Sequence, residues 1–68
     1  MSPDKLVYMA NQIAKFFAHE GEEKAVMSIA DHLRKFWPPL MRQDALAHLD
    51  GGGDGFDPLV KSAMEKLR

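Results

Sequence analysis

Sixty-eight residues are the size of one small domain, and the absence of cysteine removes disulfides and most structural zinc sites as means of holding it together. Apolar residues make up 46% and mixed charges 28%, with a formal net charge of −1, so the chain reads as a folding one with no global pull towards nucleic acid or anionic lipid. No apolar run approaches the roughly 18 residues needed to cross a bilayer. MSPDKLVYMANQ also lacks the basic start and apolar stretch of a signal peptide, which makes the cytoplasm the expected compartment.

The first helix is predicted over residues 3–20. Ser2 is placed as its N-cap and Pro3 as its first residue, where a missing N–H costs nothing. Leu6, Ala10, Ile13 and Phe17 recur at four-three-four spacing as one buried stripe. Met9 and Phe16 widen it on one side, and Val7 and Ala14 on the other, to an arc broader than one antiparallel neighbour covers. Gly21 supplies the stop. A second helix is predicted over 22–37, opening on Glu22 and Glu23 at the positive end of the helix dipole. Val26, Ile29, Ala30, Leu33 and Trp37 form its apolar face, and Pro38 ends it by pushing the preceding residue out of helical geometry.

Pro39 opens a third helix over 39–49, with Met41, Ala45, Leu46 and Leu49 inward. DGGGDGFDP then predicts a flexible Gly-rich linker at 51–55. Asp57 and Pro58 start a last helix over 58–67, with Leu59, Val60, Ala63, Met64 and Leu67 on one stripe. No alternating β-branched run occurs. The expected fold is all-α: residues 1–68 as a single small bundle of three to four short helices, with a Gly-rich loop before the last.

Chemistry is hard to find in this chain. Counted from Asp50, a calcium loop is matched at positions one, five and six by Asp50, Asp54 and Gly55. Its third position is Gly52, and Lys61 stands where the bidentate glutamate belongs, so no metal site is expected. The glycines have no strand before them and no Lys-Ser/Thr after them, which removes a phosphate cradle. His19, His32 and His48 contain no pair at i, i+4 spacing for zinc. Ser28 and His32 share a helix face, but Asp31 points about 100° away from His32 and no third group converges on them, so no catalytic residue is expected.

The stretch HLRKFWPPLMRQ concentrates the one tryptophan, two prolines and Arg34, Lys35 and Arg42, with no acid between Asp31 and Asp44. A helix, tight turn and helix with such a basic patch is how a DNA-binding module can begin, which makes a small helix-turn-helix-like nucleic-acid-binding or regulatory protein the alternative reading. Against it stand the net acidity and the dipole, which already favours cations at a helix end. Phe36 and Trp37 point about 100° apart, so one small core cannot take both fully. Aromatic side chains and Arg are enriched at interface hot spots, and His32, Phe36, Trp37, Met41 and Arg42 are the candidate partner-interface residues. A chain this small draws only about 3–5 kcal/mol from its own core. Association with a partner, or self-association when isolated, is therefore expected.

KLVYMANQIAKFF, IADHLRKFWPPLMR and LAHLDGGGDGFDPLVKSAM resemble the delta subunit of the soluble, molybdenum-containing, NAD-dependent formate dehydrogenases, from Lys5 to about Ala63. The paired elements MANQIA-x-FF and FW-x-P-x-MR carry the resemblance. Pro38 and Leu40 stand where that family's pattern commonly has an acid and a base. The resemblance implies a non-catalytic, cofactor-free accessory subunit that docks on the catalytic alpha subunit and supports assembly or stability. It also implies beta and gamma partners, with molybdopterin guanine dinucleotide, iron–sulfur clusters, FMN and NAD in the partner subunits. Those partners would oxidise formate to carbon dioxide and reduce NAD, and the corner from His32 to Arg42 becomes the expected docking surface.

Overall fold

The structure is a computed structural model and describes residues 2–68. Four α-helices follow one another: α1 Pro3–Phe17, α2 Glu22–Phe36, α3 Pro39–Asp50 and α4 Pro58–Glu65, with no strand among the described residues. Ser2 caps α1, its hydroxyl accepting from the Lys5 N–H at 3.3 Å. The turn expected to finish that helix tightens to a 3-10 turn, Ala18–Glu20, before Gly21 reverses the chain at φ 93°. Trp37 leaves α2 at φ −87° and ψ 130°, the extended geometry that a following proline imposes. Asp57 caps α4 by accepting from the Leu59 N–H at 2.8 Å. That helix ends at Glu65, and the chain then turns.

α2 is the hub and packs chiefly against α4 and α1. The buried apolar residues of the helices are Ala25, Val26, Ile29, Ala30 and Leu33 of α2, Leu6, Ala10 and Ala14 of α1, Ala45 of α3, and Val60, Ala63 and Met64 of α4. Trp37 and Phe56 complete the core from the connections. Six of these residues are alanines, and small side chains at the contacts let helix axes approach closely. The radius of gyration, 10.6 Å, is close to the about 11 Å of a compact chain of this length.

On α1 the inward line runs through residues 6, 10 and 14, leaving Ile13 and Phe17 half-buried at its edge. Met9 and Phe16, expected to widen the buried stripe, are exposed at 38% and 71%. Four short helices place nothing over that flank.

The stretch expected as a flexible linker is tied down instead. The Gly53 N–H donates to His48 O at 2.8 Å, and the Phe56 N–H donates to Gly53 O at 3.0 Å. His48 Nε2 lies 2.8 Å from Asp54 O. From α1, Asn11 Nδ2 donates to Gly55 O while its Oδ1 accepts from the Asp57 N–H, both at 2.8 Å. Asn11 is 44 residues from Gly55 in the chain, so local composition shows the glycines and not the clip that holds them.

Candidate docking surface

One row of α2 leaves the core as it runs towards the C-terminus. Ala25 and Ile29 are fully buried, His32 is half-buried, and Phe36 is 69% exposed. Phe36 is the last residue of α2, and Pro38 follows two residues later. α1 brings Phe17 and the exposed Phe16 alongside. The rings form a continuous line: Phe16 meets Phe17 edge to face at 5.0 Å, Phe17 meets His32 at 6.1 Å, and His32 lies tilted against Phe36 at 4.7 Å. Next to that line is a groove of about 220 Å³ lined by Gln12, Ile13, Phe16, Phe17 and His32, with no charged side chain in its wall.

The five interface candidates separate in three dimensions. His32 and Phe36 sit together on this surface. Trp37 turns into the core at 7% exposure, and Met41 packs half-buried against the same core. Arg42 is half-buried and donates from Nη1 to Arg34 O at 3.4 Å, at the carbonyl end of α2. Sequence reasoning missed Gln12, Ile13, Phe16 and Phe17 as part of the surface. The available signal was the excess width of the apolar arc on α1, which ends in a doubled phenylalanine.

The basic patch of the proline corner is spent locally. Arg34 Nη2 donates to Lys66 O at 3.1 Å, at the end of α4, and Lys35 pairs with Asp31 at 3.0 Å. With Arg42 on Arg34 O, two of the three cations satisfy helix-end carbonyls and the third a carboxylate one turn away. Elsewhere, Ser28 Oγ donates to Glu20 Oε1 at 2.6 Å, which ties the 3-10 turn to α2 and directs the hydroxyl away from a partnership with His32. Asp50, first of the acidic residues around the glycines, is held by Arg68. Hydrogen bonds to Asp50 and then Glu65 keep the Arg68 guanidinium above its ordinary pKa. Among the described residues no three His, Cys, Asp or Glu side chains converge as a metal site would need. No helix there is long and apolar enough to cross a membrane.

Residues 5–64 match the family described as NADH-dependant formate dehydrogenase delta subunit FdsD. No curated protein and no solved structure matches the chain.

Proposed function

Because the chain belongs to the NADH-dependent formate dehydrogenase delta subunit family, and a delta subunit implies a complex with other formate dehydrogenase subunits, we propose that it is a non-catalytic accessory subunit that supports assembly or stability by docking on the catalytic alpha subunit. The observation that carries this reading is the pair of exposed phenylalanines, Phe16 and Phe36, at the two ends of one line of rings. Burying such a side chain is worth about 1.5–3 kcal/mol. A chain of 68 residues that leaves two of them outside has a strong physical reason to be covered.

In this reading the chain supplies contact surface and the partners supply the chemistry. Iron–sulfur clusters are held by cysteine thiolates, and the absence of cysteine from this sequence supports assigning them to other subunits. Molybdopterin guanine dinucleotide, FMN and NAD are assigned to the alpha, beta and gamma subunits on the same reading. Formate oxidation and NAD reduction take place there, in the cytoplasm.

The test is co-expression of the tagged chain with all the other subunits. The chain should co-elute with alpha, and its omission should lower the yield or lifetime of assembled enzyme while leaving the kcat/KM of intact complexes unchanged. A complex that forms and lasts equally well without the chain would overturn the reading. So would a chain that fails to co-elute and binds duplex DNA in a salt-sensitive manner.

A further inference from the structure

We propose that Asp54–Gly55 is a modification site of this chain, at which the aspartate converts to isoaspartate, and that Asp50–Gly51, the same dipeptide four residues earlier, is spared. The assignment does not rest on the accessory role proposed above. Aspartate followed by glycine is chemically vulnerable, because the glycine nitrogen can reach the preceding side chain with no Cβ of its own in the way. The nitrogen attacks Cγ of the protonated carboxyl group. A C–N bond forms, and the carboxyl hydroxyl leaves with the amide proton as water. The resulting five-membered imide then takes up one water. Opening at the side-chain carbonyl restores aspartate, and opening at the main-chain carbonyl leaves the backbone running through Cβ and Cγ. The two steps exchange only water and need no other reactant.

Both reacting groups must be unengaged for the attack. At Asp50 neither is. It is the last residue of α3, its carboxylate is held by Arg68, and the Gly51 N–H donates to Ala47 O at 3.1 Å. At Asp54 the contacts fall elsewhere. Asp54 is exposed in a turn, and among the described residues its carboxylate has neither an ion pair nor a hydrogen-bond partner. The Gly55 N–H has no acceptor among them either. What is held is the carbonyl of each residue: His48 Nε2 lies 2.8 Å from Asp54 O, and Asn11 Nδ2 donates to Gly55 O at 2.8 Å. A carbonyl oxygen only accepts, so Nε2 carries the proton in that contact. The bond draws electrons from the Asp54–Gly55 peptide group and eases loss of the Gly55 amide proton.

The product does not fit the clip that holds the loop. The oxygen that accepts from His48 becomes part of a free carboxylate, and Gly55 is carried one methylene further along the chain. Asn11 holds Gly55 O and the Asp57 N–H together, at 2.8 Å each, and cannot span both after that shift. Conversion at Asp54 therefore releases the loop from α1.

The experiment incubates the full chain for several weeks at neutral pH, once folded and once in concentrated guanidinium chloride. Isoaspartate is located by peptide separation with electron-transfer fragmentation, and counted by methyl transfer from an isoaspartyl methyltransferase. The ratio of folded to unfolded rate should be roughly tenfold or more larger at Asp54 than at Asp50, because freeing Asp50 breaks an ion pair and a hydrogen bond. Asp54→Glu, which needs a less favourable six-membered ring, should remove the signal at position 54 and leave position 50 unchanged. The separated isoaspartyl chain should unfold at a lower urea concentration than the unmodified chain. Equal ratios at the two dipeptides overturn the assignment, as does a larger ratio at Asp50. A folded chain that stays unconverted at Asp54 while the unfolded chain reacts overturns it too. An unchanged urea midpoint overturns the release of the clip.

Discussion

Phe36 and Trp37 are neighbours of similar chemistry with opposite fates, 69% and 7% exposed. Phe36 is the last residue of α2 and continues its flank. Trp37 is the first extended residue, and Pro38 swings its side chain back under the bundle. Trp37→Ala is therefore expected to cost about 3–5 kcal/mol, as emptying a large core site does, and to leave the isolated chain largely unfolded by circular dichroism. Phe36→Ala should change stability by no more than about 0.5 kcal/mol, because it removes surface contacts only. Asn11 is a second residue whose role comes from its partners. Asn11→Ala removes two hydrogen bonds, each worth about 0.5–1.5 kcal/mol net, and should lower the unfolding free energy by about 1–3 kcal/mol. An unchanged urea midpoint would show that the clip contributes nothing.

At the scale of elements, the glycine loop is the part whose composition misleads. Its glycines are not equivalent. Gly51 sits at φ −82° as the C-cap of α3, and an added Cβ would make ordinary contacts at 3.6 Å. Gly53 is buried at φ +65°, and a Cβ there would meet Lys61 Cε at 3.2 Å and Leu49 Cδ1 at 3.3 Å. Gly51→Ala should be neutral or stabilise by up to about 1 kcal/mol through the unfolded chain. Gly53→Ala should destabilise by about 1–2 kcal/mol, since an L-residue pays for the left-handed region and its neighbours must also move. Comparing the thermal midpoints of the two variants tests whether the segment is a fitted loop. Equal effects would mean an open linker, in which every glycine serves only flexibility.

For the whole molecule, the core is continuous but thin, and six of its members are alanines. An unfolding free energy of about 3–5 kcal/mol is expected for the isolated chain. Adding purified alpha subunit should raise the unfolding midpoint in proportion to the logarithm of its concentration, because a ligand of the folded state alone stabilises it by mass action. A stability near 10 kcal/mol that is indifferent to alpha would contradict a chain built to be completed by a partner.

Local rules determined most of the secondary structure. Ser2, Pro3, Pro38, Pro39, Asp57 and Pro58 mark helix ends through dihedral limits and missing or capped N–H groups, effects that act within a turn of the residue concerned. The inward face of α2 was legible for the same reason, because its apolar spacing is unambiguous. Three things needed the tertiary structure. Which edge of the wide arc on α1 is buried depends on where α2 lies, so Ala14 went in and Phe16 stayed out. The Arg34 and Arg42 guanidiniums found their carbonyls on other helices or across the proline corner, so the basic patch in the sequence is largely a set of helix-end hydrogen bonds. The groove itself belongs to neither helix alone. It exists because residues 12–17 and 32–36, some twenty positions apart, are brought side by side by core packing, and no periodicity within one helix encodes that distance.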